Sequence, residues 1–223
     1  MILTNRLFER KKPSREAKSI YIFCEGARRE YDYFKYFKGI DSRINIEVYK
    51  LHHHENNSPN GLLEIAKQCI EKSESNPSPK YSFQDNDEVW IVLDTDKDKT
   101  DSRKPQITQV LQACELKTDW FLAQSNPCFE VWLYYHFFSE KPTLENVGIC
   151  SNWKTLVNNS IKGGFDARKH PICIENAAIH AEQVFESKNG SPLVGSTDVF
   201  RLSKSILNLV KAKIDGVKKQ FKI

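Results

Sequence analysis

Carboxylates that follow apolar runs are the groups in this chain whose placement could do chemistry. The run Ile20-Tyr21-Ile22-Phe23-Cys24 stops at Glu25 and Gly26, and Glu88-Val89-Trp90-Ile91-Val92-Leu93 passes straight into Asp94-Thr95-Asp96-Lys97-Asp98. In extended chain, residues i and i+2 project to the same side, so Asp94 and Asp96 can present both carboxylates to one point. If the two runs are strands of one parallel sheet pointing the same way, Glu25 meets them at its carboxyl edge. Acids held together repel strongly unless a cation neutralises them, and a hard oxygen set of this kind suits Mg²⁺ (or Mn²⁺) completed by water and phosphate. A D-x-D pair alone is more often a solvated turn. Its combination with an upstream strand-Glu-Gly-helix pattern is what points to a divalent-cation centre.

The elements that must position these groups follow from periodicity. Residues 20–24 fit a fully buried parallel-type strand, Gly26 a tight turn, and 28–37 a helix in which Tyr31, Phe34 and Phe37 recur near the helical period. Alternation over 44–51 predicts a half-buried strand, 62–71 an amphipathic helix, and the Ser- and Pro-rich stretch 72–80 a linker. The strongest strand signal is 88–93; a helix over 107–114, a strand over 120–124 and a buried helix over 129–138 follow. Strands alternating with helices predict an α/β fold with a mainly parallel sheet flanked by helices, functional groups collecting at the carboxyl ends of its strands. Beyond Ser139 the pattern is helix and loop, with helices at 153–157, 174–185 and 198–213. The organisation expected is a basic arm over 1–18, an α/β core over 19–138 and a helical C-terminal region over 139–223 packed on it.

The 223 residues are 39% apolar, 28% charged and 11% aromatic, a composition that folds rather than one that stays disordered. The formal charge is +4, but both ends are basic: Arg6, Arg10, Lys11, Lys12, Arg15 and Lys18 at one, Lys211, Lys213, Lys218, Lys219 and Lys222 at the other. Such ends suit phosphate contact, or simply solvated faces. Six cysteines occur without a C-x-x-C pair, so neither a zinc ribbon nor a redox motif is encoded, and Cys24 and Cys128 read as small hydrophobes within apolar segments. No signal-peptide core and no apolar run of the ~18–20 residues a span needs is present, which predicts a cytoplasmic protein with reduced thiols and no membrane partner.

The acidic pattern resembles the Toprim domain of topoisomerases, primases and OLD-type nucleases, whose hallmark is a Glu after the first strand and a D-x-D after a later one. More specifically, "FCEGARREYDYF" at 23–34, "VLDTDKD" at 92–98, "SNPCFEVWLYYHF" at 125–137 and "GSTDVFRL" at 195–202 are together similar to the RloB family, which carries a Toprim-like fold. The family's first block usually has a Thr-Glu pair after Cys-Glu-Gly, whereas here Arg29 precedes Glu30. The resemblance implies a Mg²⁺-dependent nuclease acting on DNA or RNA, tRNA included, as an effector of bacterial antiphage defence. It also implies an ATPase partner, and a homo-oligomer is compatible with it.

Carried over residue by residue, the resemblance implies that Glu25, Asp94 and Asp96 form the acidic metal centre, or that Glu25 acts as general acid or base. Glu30 either approaches that centre or lies on the helix surface. A helix beginning near Pro127 would put Asn126 and Glu130 on one face, and a Glu beside Phe129, Val131 and Trp132 must meet a cation, metal or Arg. Lys154, Lys162, Arg168 and Lys169 around Gly163-Gly164 suit phosphate contact, or a solvated loop. His52, His53 and His54 point alternately to opposite faces and read as a strand end. Hydrolysis is the simpler chemistry, since a topoisomerase also needs a nucleophilic Tyr in a further domain. The alternative is a non-catalytic Toprim-like subunit that binds nucleic acid or its ATPase.

Overall fold

A strand that is apolar on both faces must be covered on both faces. In the computed structural model, which describes residues 7–95, 100–143 and 147–221 (the side chains of 100 and 101 apart), four strands form one sheet, and all but the edge strand 44–49, whose Asn45 and Glu47 are half-buried, meet that condition. They are β1 (Lys18–Cys24), β2 (Ile44–Tyr49), β3 (Glu88–Asp94) and β4 (Trp120–Ser125), all parallel and ordered β2-β1-β3-β4. Ile20, Ile22, Trp90 and Val92 enter the core on one side of the sheet, and Tyr21, Phe23, Ile91 and Leu93 the core on the other. The chain leaves β1 towards β2 and later returns on the opposite side of β1 as β3. Connections therefore diverge between the carboxyl ends of β1 and β3, the place where an open α/β sheet leaves a crevice.

Helix α1 (Arg29–Lys35) covers the first side; α2 (Pro59–Ile70) and α3 (Thr100–Glu115) cover the second. The fold class is the one expected from the sequence. Several element bounds differ, and two of the differences bear on the site. Helix α3 begins seven residues before 107 and runs through Pro105, because a proline so near a helix start forfeits one amide bond and the helix continues past it. The segment 129–138 condenses into a shorter helix, α4 (Glu130–Tyr134), followed by turns.

Helices α5 (Cys150–Ser160), α6 (Ile174–Gln183) and α7 (Val199–Phe221) complete the first side. Val199, Leu202, Ile206, Val210 and Ile214 form a buried stripe on α7, and Val217 still packs on that core, so the helix extends beyond residue 213. The described part of the arm lies against the domain. Phe8 is buried edge-on to Tyr36, and the Lys11 amide donates to the Gly39 carbonyl at 2.8 Å. Gly39 has φ +74°, and a Cβ there would sit 2.9 Å from the Lys11 carbonyl oxygen, so glycine is required twice over.

Asp198 fastens α7 to the end of β4. Its carboxylate accepts from the Gln124 amide, its own amide donates to the Gln124 carbonyl at 3.0 Å, and the Ser125 and Thr197 hydroxyls bond at 2.8 Å. Burial pushes the Asp198 carboxyl up to about 6, against the favourable Gln124 amide. A raised acid keeps its proton longer in the folded chain than in the unfolded one, so its stabilising contribution is complete below about 3.8 and is lost as pH rises through about 6. Asp198→Asn keeps the acceptor and removes the charge. Its melting temperature relative to wild type is expected to rise between pH 4 and pH 7.5, by the equivalent of about 2–3 kcal/mol. Parallel pH profiles of the two proteins in thermal unfolding would show Asp198 to be unperturbed.

Candidate active site

The strand register decides which carboxylates meet. Cys24 of β1 stands opposite Val92 of β3, the Glu25 amide donates to the Val92 carbonyl at 3.2 Å, and the Asp94 amide donates to Glu25 Oε2 at 3.3 Å. The Glu25 carboxylate thus folds over the start of Asp94, at the crevice. Glu30, on the first turn of α1, is buried and reaches back to the same turn of chain: a Cβ on Gly26 would fall 1.8 Å from Glu30 Oε2. Gly26 is there to leave room for a carboxylate. Glu130, the first residue of α4, is buried and takes the Arg29 guanidinium at 2.6 Å.

Glu25, Gly26, Glu30, Asp94, Glu130 and Lys154 line one cleft of about 720 Å³. Burial, then the Glu130 and Glu25 charges, push the Glu30 carboxyl up to about 7. Burial and the neighbouring Glu30 and Glu25 hold Asp94 well above the usual carboxylate range. Crowded acids of this kind keep protons until a cation replaces them. The cations supplied by the protein lie at the margins. Arg103, almost fully buried, donates Nη2 to Glu25 Oε2 and Nε to the Asp94 carbonyl at 2.9 Å. Negative charge on the Cys150 sulfur, and then on Glu130, raises the Lys154 ammonium against its partial burial. Glu25, Asp94 and Glu30 present hard oxygen donors, the type a divalent cation takes, to one cleft, but among the described residues their ligand atoms do not all lie within 4.8 Å of one another.

The expected residues divide. Glu25, Glu30, Asp94, Glu130, Gly26 and Lys154 are brought together, and the cation that Glu130 had to meet is Arg29. Asp96, with Asp98, lies outside the described residues. Asn126 is not on a helical face with Glu130, because α4 starts only at Glu130 and the Asn126 backbone is bonded to the segment before α7. Its amide donates to Ser196, its carbonyl accepts from Gly195, and its Nδ2 donates to the Pro192 carbonyl at 2.8 Å. Asn126 is a fastening between loops. Arg168 and Lys169 are exposed and turn to Asp166, at 3.0 and 3.9 Å, while Lys162 is exposed on the same loop, whose Phe165 and Ala167 line the cleft. His52, His53 and His54 are exposed beyond β2. Arg103 is the residue sequence reasoning missed: it sits ahead of Pro105, in the part of α3 that the proline conceals.

The closeness of Gly26 to Glu30 makes a prediction that needs no activity. Gly26→Ala is expected to cost about 1–3 kcal/mol, as overpacking does. In a Glu30→Ala background the same substitution should cost less than about 0.5 kcal/mol, since the clash is gone. Equal costs in both backgrounds of this double-mutant cycle would mean that Gly26 does not accommodate Glu30.

No curated protein and no solved structure matches the chain. A family model described as RloB-like protein matches residues 20–206, from β1 into α7 and across every cleft residue named above. The chain belongs to the RloB-like protein family.

Proposed function

We propose that the protein is a metal-dependent nuclease of Toprim type, hydrolysing phosphodiesters of DNA or RNA, tRNA among them. Its setting would be bacterial antiphage defence, in the cytoplasm, with an ATPase partner. The observation that carries this reading is the contact of Glu25 with Asp94 at the carboxyl ends of neighbouring parallel strands, with Glu30 and Glu130 in the same cleft.

Glu25 and Asp94, with Asp96, would hold Mg²⁺ or Mn²⁺, which when bound supplies Lewis-acid polarisation of the phosphodiester and charge for the departing oxygen. Glu30, in the same cleft, would take a proton from an attacking water. Lys154 on the cleft wall offers a cation to a substrate phosphate, and Lys162, Arg168 and Lys169 extend that positive surface along the adjacent loop. Arg103 braces Glu25 from the side of α3, and Arg29 braces Glu130.

The second reading, a non-catalytic subunit that binds nucleic acid or the ATPase, draws on the same two arginines: each already neutralises one carboxylate of the cleft. Cleavage assays separate the readings. Single-stranded and duplex DNA, bulk tRNA and a small phosphodiester are incubated with Mg²⁺, Mn²⁺ or chelator, with and without the ATPase. Cutting that requires a divalent cation is expected. No cutting of any substrate with the ATPase present, together with no Mg²⁺ or Mn²⁺ binding, would leave the binding subunit.

A further inference from the structure

Glu130 has two carboxylate oxygens, and they face different chemistry. Oε1 takes the Arg29 guanidinium, whereas Oε2 lies 3.9 Å from Sγ of Cys150, the first residue of α5. Cys128 stands two residues before Glu130, and its thiol is directed at the Cys150 carbonyl at 3.8 Å. One ligand atom from each of Cys128, Glu130 and Cys150 lies within 4.8 Å of the other two. Cys128 and Glu130 are buried, and Cys150 is half-buried. None of the three is in a disulfide.

Two sulfurs and one oxygen are a poor set for Mg²⁺ and a good one for a softer ion. We propose that Cys128, Cys150 and Glu130 bind a thiophilic divalent cation, Zn²⁺ foremost, at a site separate from the Glu25–Asp94 pair. Zn–S and Zn–O bonds place tetrahedral ligand atoms roughly 3.5–3.8 Å apart, so the three groups, already within 4.8 Å of one another, need close by no more than about 1 Å. Two thiolates and a carboxylate around Zn²⁺ leave one net negative charge. Lys154, one turn beyond Cys150 on α5 and lining the same cleft as Glu130, supplies the compensating positive charge. The fourth position goes to water or to an anion. Because Glu130 also lines the cleft and holds Arg29, the thiol site and the cleft share one side chain, whatever reaction the cleft performs.

The test uses the full reduced chain, stripped of metal and titrated with Zn²⁺ against a chromogenic chelator, then with Co²⁺ and Cd²⁺. One tightly held Zn²⁺ per chain is expected, with tetrahedral Co²⁺ bands and a thiolate–Cd²⁺ charge-transfer band. Cys128→Ser and Cys150→Ser should each weaken binding by at least about 100-fold. Cys69→Ser and Cys114→Ser, in the core on the other side of the sheet, should leave it unchanged. His52→Ala guards against capture by the exposed histidines. The spectra of the wild-type protein stand even where a serine variant fails to fold. Absence of thiolate bands, or binding abolished by His52→Ala and retained by both Cys variants, would overturn the proposal.

Discussion

Asp94→Asn is expected to abolish metal-dependent cleavage and, in the same preparation, to raise the melting temperature. The substitution keeps the size of the side chain and deletes a charge that burial, Glu30 and Glu25 all oppose. In the absence of divalent cation at pH 7.5, relief of that repulsion should stabilise the fold by about 1–2 kcal/mol, which for a chain of this length is roughly 2–8 °C. On the proposed function, cleavage should fall by about 10³-fold or more, since several kcal/mol of transition-state charge stabilisation would depend on a cation that Asp94 would help to hold. Mg²⁺ should raise the melting temperature of wild type and leave the variant nearly unmoved. A variant that cuts within tenfold of wild type would remove Asp94 from the reaction; one that melts lower would show its carboxylate to be structurally satisfied.

Arg103→Met should act in the opposite sense on stability. Arg103 is almost fully buried, and its guanidinium neutralises Glu25 while its Nε serves the Asp94 carbonyl. Removing one partner of a buried pair leaves the other charge unpaired, at a cost of about 3–5 kcal/mol. A fall of roughly 10 °C is expected. Mg²⁺ should restore part of the loss, and more degrees than it adds to wild type, because it takes over the neutralising role. A drop under about 3 °C would mean that Glu25 is adequately solvated without Arg103. An Mg²⁺ effect equal to that in wild type would put the cation away from Glu25.

The parts of this protein legible in its sequence are those encoded locally. Buried parallel strands announce themselves as short apolar runs, so β1 and β3 and the acids that end them were readable, as was the helix that carries Glu30. Adjacency is not local. That Glu25 meets Asp94 depends on β3 pairing with β1 rather than β2, and only the sheet order supplies that. Arg29 looked like a departure from the family's Thr and turns out to have its partner 101 residues away. Arg103 was hidden by a proline that suggested a boundary where the helix continues. Asn126 was misplaced because one turn of helix was assumed where the backbone bonds instead to Gly195 and Ser196. Cys128 and Cys150 lack any spacing signature, being 22 residues apart on separate elements.

The two acids at the crevice leave the sheet from neighbouring strands, tied by the bond from the Glu25 amide to Val92. Strand spacing in a sheet is about 4.8 Å and scarcely varies, so their separation is a lattice constant of the fold. The opposite wall, from α4, α5 and the loop carrying Phe165 and Ala167, belongs to other parts of the chain. Drift in that wall can redraw what enters the cleft while the acids keep their interval. On the proposed function, selectivity and reactivity would therefore be inherited on separate segments, and a lineage could exchange one without rebuilding the other.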